Sequence, residues 1–286
     1  MQAWHLTYAS RSRASLFPDE SLRHRAIHAI ARAGGNELVA FCLVDDHIHL
    51  VVLASQARVG HLSRTVLLSL APIAGAPLDP AHRRMVDGRS HLEWLMRYCL
   101  MQPAKHDIGV HPALWSGSFF LDLAGARLVP GIRLRIPDAL PRFRLGTAFS
   151  YLGLPMVPLE PVTDDQLRAF GATRIASAAA SAFSAEPKLM GNDAPTVSAR
   201  NATANLARIA GFPPSEAAWV LRVTKQAAGR MAKRNVDQKC LEAVRLRLAL
   251  EEAVALHAKS EIAGVSVVKE FPQFPYGADS EIHHAQ

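Results

Sequence analysis

His47-Ile48-His49 sets two imidazoles two residues apart inside an apolar run that reads as a strand. Successive strand side chains alternate sides, so His47 and His49 project together while Ile48, Leu50 and Val52 face a core on the other side. Two nitrogens on one rigid face supply two of the ligands a divalent cation needs; the same pattern also describes a pair of surface histidines. Tyr98 and Gln102 stand four residues apart in a segment of helical period, which stacks the phenol and the amide on one face. Pro103 is expected to stop this helix, leaving Gln102 in the last turn, where the negative end of the helix dipole favours a cation. A half-buried core tyrosine beside a helix-ending glutamine fits the same spacing. Taken together, two histidines and an amide oxygen leave the rest of a cation's shell open to phosphate oxygens and water. That mixed nitrogen and oxygen set suits Mg2+ or Mn2+ better than a closed zinc cage. The cation would polarise a phosphate ester, and Tyr98 would attack the phosphorus and hold the product covalently, with no hydrolysing water.

The elements around these residues follow from pattern. Ala-Trp-His-Leu-Thr-Tyr-Ala at 3–9 alternates as a strand does. Leu16-Phe17-Pro18-Asp19-Glu20 opens a helix that Leu22, Ile27, Ile30 and Ala31 continue and Gly34-Gly35 stops. Glu37 to Leu53 reads as a hairpin reversing at Asp45-Asp46. Helices are expected over His61–Ile73 and Ser90–Gln102, with a Pro/Gly-rich break at Ala74–Pro80 between them; Leu92, Leu95, Met96 and Cys99 share one face of the second. Strand, helix, hairpin, helix is the order of a ferredoxin-like antiparallel sheet with helices, an α+β domain over residues 1–126. Prolines at 130, 137, 141, 155, 158 and 161 mark 127–163 as a linker, 164–256 turns helical and alanine-rich, and 257–286 reads as a flexible tail.

A chain of 286 residues that is 49% apolar can bury two cores, and its excess of 32 Lys+Arg over 25 Asp+Glu points to a polyanionic partner. Nucleic acid and an anionic membrane surface both fit that balance, as does a merely basic protein. The three cysteines, Cys42, Cys99 and Cys240, are widely spaced, which argues against a disulfide framework or a structural zinc site and suits a reducing compartment. No apolar run reaches membrane-spanning length, and the first residues lack the layout of a signal peptide, so a cytoplasmic location is expected.

The block Phe41-Cys42-Leu43-Val44-Asp45-Asp46-His47-Ile48-His49-Leu50 resembles the histidine-hydrophobic-histidine block of the single-tyrosine HUH transposases, especially the REP-associated tyrosine transposases. The resemblance runs from the first strand and Leu16-Phe17-Pro18-Asp19-Glu20 through Arg97-Tyr98 and Gln102-Pro103-Ala104 to Trp115-Ser116-Gly117-Ser118, and so covers roughly residues 1–125 in the family's order. It implies Tyr98 as nucleophile, His47, His49 and Gln102 as ligands of Mg2+ or Mn2+, and single-stranded or hairpin DNA as substrate. Asp45-Asp46 stands where the family usually has Pro-Asn, Gln102-Pro103 where many relatives have Asn-Pro, and Trp-Ser-Gly-Ser where they have Trp-Ser-Ser.

Behind this region, Ser198–Ile209, Glu216–Arg222 and a helix capped by Thr224 read as a helix-turn-helix, with Ser215 expected to cap Glu216–Arg222. Lys225, Gln226, Arg230, Lys233 and Arg234 line the last helix. Gln226 and Arg230 are the expected base readers on duplex DNA, with Lys233 and Arg234 on phosphates. In the spacing of Arg200, Ala204 and Leu206, followed by a glycine and a Ser-initiated short helix, this stretch resembles the C-terminal DNA-binding domain of the replication initiator DnaA, with Thr224-Lys225-Gln226 in place of its Asp-His-Thr signature; a plain helical bundle with a basic face is the other reading. Arg11, Arg13, Arg97 and Lys105 are further candidates for the DNA backbone, or ordinary solubilising charge. The expectation is thus a DNA strand-cleaving and rejoining enzyme, a nucleoid-associated monomer or homodimer with no membrane contact. The rivals are a domesticated regulator that binds DNA without cutting, and a metallohydrolase using His47 and His49 for a zinc-bound water.

Overall fold

Alternation in the first residues forms β1 (Gln2–Ala9), whose Leu6 and Tyr8 are fully buried. Asp19 accepts from the Leu22 N–H and so caps α1 (Glu20–Gly34), satisfying one of the donors a helix start leaves free. β2 (Leu38–Leu43) and β3 (His47–Ala54) form the expected hairpin, and Ser55 caps α2 (Gln56–Leu70). β4 (His82–Met85) and α3 (Gly88–Lys105) follow. The four strands form one antiparallel sheet in the order β2-β3-β1-β4. This computed structural model describes residues 1–155 and 158–262, with side chains through 259.

Beyond the sheet come a 3-10 turn (Pro112–Leu114), α4 (Phe120–Leu123), α5 (Ile136–Ala139) and α6 (Leu145–Tyr151). They are followed by α7 (Asp164–Ala182, kinked at Gly171), α8 (Ala194–Ile209), α9 (Pro214–Leu221), α10 (Lys225–Ala232) and α11 (Gln238–Ile262). The chain is therefore α+β, with the sheet in its first third and helices thereafter.

Several expectations need correction. α2 begins five residues before His61, because Val59 is buried and Ser55 provides the cap. The break at Ala74–Pro80 leads into β4, whose His-Arg-Arg-Met carries no apolar alternation; all four residues are exposed, and pairing with β1 alone makes them a strand. Pro103 does not stop α3, which continues to Lys105. So close to the helix end, a proline forfeits only one backbone hydrogen bond. Ser215 is not a cap: Pro213 occupies the N-cap position and Pro214 the first turn of α9.

The 127–163 stretch is no free linker through most of its length. Val129, Ile136, Leu140, Phe143, Ala148, Phe149, Leu152 and Leu154 are buried in the same core as the sheet. A Cβ on Gly35 would lie 1.9 Å from the carbonyl oxygen of Gly131, so the glycine after α1 serves close backbone approach. Its φ of −59° rules out the left-handed turn usual for a helix-ending glycine. α11 runs past 256 to Ile262, and the rest of the expected tail, 263–286, lies outside the described residues. A second core forms among α7, α8, α9 and α11 around Leu167, Ile175, Leu206, Leu221 and Leu248. Leu250 and Val254 of α11 pack into the first core, and His24 Nδ1 lies 2.7 Å from the Ala185 carbonyl oxygen, so the helical part and the sheet part touch.

Candidate metal and tyrosine site

One face of the sheet is apolar: Leu6 pairs with Leu50 and Tyr8 with Ile48, and the Tyr8 hydroxyl donates to the Ser63 carbonyl of α2. The opposite face carries the chemistry. There Thr7 pairs with His49 and Ala9 with His47, His5 sits two residues from Thr7, and α3 lays Tyr98 and Gln102 over them. The His47 and His49 rings are 4.5 Å apart and nearly perpendicular, and the Tyr98 ring is 5.2 Å from His49. Trp94, one turn earlier on α3, stacks on Tyr98 at 4.9 Å, and the Lys105 ammonium stands 5.6 Å from the Tyr98 ring centroid. The structure thus brings together His47, His49, Tyr98, Gln102 and Lys105.

Donor and acceptor bookkeeping shows why a cation suits this place. Asp46 Oδ1 lies 2.7 Å from His47 Nδ1, close enough to take that N–H. His47 Nε2 faces Gln102 Oε1 at 3.3 Å, and with the proton on Nδ1 alone it turns a lone pair toward that second acceptor. That separation matches roughly 3 Å between adjacent ligands of a metal bound at about 2.1 Å. His49 is buried, its Nδ1 lies 3.0 Å from His5 Nε2, and its own Nε2 has no hydrogen-bond partner. A buried orphan nitrogen costs about 1–3 kcal/mol, and a ligated cation would remove that cost. Burial, with the neighbouring histidines adding to it, holds His49 well below the usual imidazole range, and burial takes His5 down to about 4. Both rings are therefore neutral at pH 7, the form that binds metal. Gln102 is 1% exposed, so its amide points inward rather than to solvent.

His5 and Trp94 were not legible as site residues in the sequence. His5 reaches His49 through the register of β1 against β3, a long-range pairing; the only local sign was its two-residue spacing from Thr7. Asp46 reads as a turn residue, yet it orients His47. His106, just past α3, sets its ring 4.8 Å from His47. Burial opposes ionisation of Asp46, but the His47 and His106 rings together hold its carboxyl below the ordinary range.

The remaining basic candidates scatter. Arg11 pairs with Asp79 at 3.0 Å, and Arg13 sits exposed at φ 56°. Arg97 packs over the Tyr151 ring of α6 at 5.7 Å. Lys225, Gln226, Arg230, Lys233 and Arg234 are all exposed on or just after α10, which Thr224 caps as expected, on the far core from Tyr98.

The Trp115-Ser116-Gly117-Ser118 block braces the hairpin that carries the histidines. Trp115 Nε1 donates to the Leu43 carbonyl at 2.7 Å, and Leu43 N–H donates to the Gly117 carbonyl at 3.0 Å. A Cβ at 117 would come within 2.4 Å of the Leu43 oxygen, which explains glycine at that point in the block. Behind the block, the fully buried Arg127 guanidinium binds the Ser116 and Ser118 carbonyls and the Asp122 carboxylate. Among the described residues no helix is long and apolar enough to cross a membrane. Comparison with protein-family models, with curated proteins and with solved structures finds no match for this chain.

Proposed function

We propose that this chain cleaves and rejoins DNA strands through a covalent tyrosine intermediate, as a metal-dependent enzyme of the single-tyrosine HUH type. One observation carries the reading: Tyr98, the orphan Nε2 of His49, the facing His47 Nε2 and Gln102 Oε1, and Lys105 gather where side chains of α3 meet the histidines of β3. The strand order β2-β3-β1-β4, with a helix after β1 and another after β3, is that of a ferredoxin-like layer and supports the same assignment.

In this reading His47, His49 and Gln102 would hold Mg2+ or Mn2+, which would supply charge neutralisation at a scissile phosphate. Tyr98 Oη attacks phosphorus, one P–O ester bond forms as another breaks, and the phenol proton passes in net to the departing DNA hydroxyl. The new ester conserves the bond for rejoining. Trp94, stacked on Tyr98, restricts the phenol ring, and the Lys105 ammonium favours negative charge on it as the proton leaves. α9 and α10, joined through the left-handed Arg222 to Thr224, are the helix pair that a helix-turn-helix reading assigns to duplex DNA. In that assignment Gln226 and Arg230 face bases, while Lys225, Lys233 and Arg234 face phosphates.

The test is a covalent trap. The full chain is incubated with labelled single-stranded and hairpin oligonucleotides and Mn2+ or Mg2+, then resolved under denaturing conditions. The expected result is a metal-requiring protein–DNA adduct that Tyr98→Phe and His47→Ala abolish. Tight, salt-sensitive binding without adduct would support a non-cleaving regulator, and cleavage that survives Tyr98→Phe would support a hydrolase.

A further inference from the structure

The register of the sheet carries the histidine face beyond β1 to β4. Residues directly opposite in an antiparallel pair share a face. Thr7 stands opposite His49 on one side and His82 on the other, and His5 stands opposite Arg84. His82 and Arg84 therefore project to the side that holds His47 and His49, with His82 two strand spacings, about 10 Å, from His49. Arg83, between them, pairs with Leu6 and faces the other way, where its guanidinium lies 3.1 Å from the place a Cβ on Gly60 of α2 would occupy. Burial first, then the charges of His91, His82 and Arg84, hold His5 down, so these groups lie close around it. α3 forms the second side of the strip. Trp94 stacks on Tyr98, and the His91 ring, one turn further back, is 6.3 Å from Trp94. His91 Nδ1 accepts the Asp87 N–H at 3.1 Å, which puts the proton of the neutral ring on Nε2 as a donor. β4 buries none of its four residues, so the core does not dictate its basic side chains.

We propose that His82, Arg84 and His91 form a track for the phosphates of single-stranded DNA, running from Tyr98 past Trp94 to the outer edge of the sheet, with Arg84 as its main phosphate contact. The proposal rests on the reading of Tyr98 as a nucleophile toward DNA, and it deepens that reading by naming the path of the strand. A guanidinium offers a phosphate two parallel N–H donors, and the imidazoles beside it add further donors. Part-buried Trp94 places an aromatic surface along the same line, and basic groups beside aromatic rings are the combination that holds single strands. Glu93 pairs with Arg89 and Asp79 with Arg11, so those carboxylates are largely neutralised, while Asp87 opposes the positive charge beside His91. Arg83 supplies a control built into the strand: it carries the same charge one residue away, on the opposite face.

The experiment is a fluorescence-anisotropy titration of the full chain, carrying Tyr98→Phe so that no strand is cut, with a labelled single-stranded oligonucleotide over a series of salt concentrations. Adding Arg84→Ala should weaken binding about five-fold near 0.1 M salt and lower the slope of log affinity against log salt by about 0.7, the loss of one phosphate contact on a single strand. Arg84→Lys should keep the slope, because the charge stays in place. Arg83→Ala should leave affinity within about two-fold and the slope unchanged. Circular dichroism confirms that each variant is folded. Equal losses from Arg83→Ala and Arg84→Ala would mean only general attraction of a basic chain, and no loss from Arg84→Ala would mean that the strand runs elsewhere; either result overturns the track. The covalent trap with Tyr98 intact decides the nucleophile separately. An adduct from the wild type beside either of those results leaves the tyrosine reading standing without the track. Arg84-dependent binding with no adduct keeps the track and removes the nucleophile, and a chain that binds no single strand loses both.

Discussion

Replacing Arg127 with methionine removes the guanidinium that ties the Trp115-Ser116-Gly117-Ser118 block to the rest of the fold. The side chain is fully buried, Asp122 beside it is nearly so, and the Ser116 and Ser118 carbonyls share the same donor. Breaking a buried ion pair by deleting one partner costs about 3–5 kcal/mol, and two carbonyls losing their donor argue for the upper half of that range. Against a total stability of roughly 5–15 kcal/mol the loss is large. With a urea slope near 3 kcal/mol per molar it lowers the unfolding midpoint by about 1–2 M. The deficit should also depend on pH. Burial, the largest influence on Asp122, already pushes its carboxyl up, and Arg127 works against that. Without Arg127 the folded-state pKa rises further above its unfolded value, so the carboxylate destabilises the fold at pH above that pKa and the penalty fades on acidification. Urea unfolding of wild type and Arg127→Met at pH 8 and pH 5 reads both effects. Arg127→Met/Asp122→Leu should recover much of the loss, because no unpaired charge remains. A loss below about 1 kcal/mol, or one independent of pH, would refute the reasoning that this pair is desolvated and holds the block in place.

Two further outcomes follow from the same structure. His5 is held down to about 4 by burial, below its unfolded value, so its contribution to stability is complete above pH 6.5 and drains away as pH falls toward 4. With chelator present the wild type should therefore lose about 2 kcal/mol more than His5→Gln between pH 7.5 and pH 5; equal losses in urea unfolding would mean that His5 is not kept neutral. Gly35→Ala drives a Cβ into the Gly131 carbonyl. It should cost about 1–3 kcal/mol and open the 127–154 segment to trypsin at Arg133 and Arg135; an unchanged digestion pattern would show that the backbone yields there without penalty.

Much of the sheet region could be read from pattern because the pattern was local. The alternation in β1, the Asp19 cap, the Asp45-Asp46 reversal and the apolar face of α3 each lie within a few residues of what they specify. The same holds for Thr224 at the start of α10. Where the signal was absent or ambiguous locally, the reading failed. His82-Arg83-Arg84-Met85 has no alternation to betray a strand, and it becomes one only because the edge of β1 offers a ladder. The prolines of 127–163 suggested a spacer, but the apolar residues between them had a core to enter. Pro103 resembled a stop and proved to be an interior residue two positions before the helix ended.

For the site itself, spacing alone determined which residues share a face: His47 with His49 by the two-residue period of a strand, and Tyr98 with Gln102 by the four-residue return of a helix. Spacing could not say that the two faces meet. That was decided by the sheet order, which puts β3 between β2 and β1, and by the packing of α3 on that face of the sheet. The same packing buried His49 until its Nε2 had no partner, brought His5 against its Nδ1 from 44 residues away, and set Asp46 and His106 beside His47. Proton states and ligand number depend on desolvation and on neighbours distant in the chain, and those quantities exist only once the chain is folded.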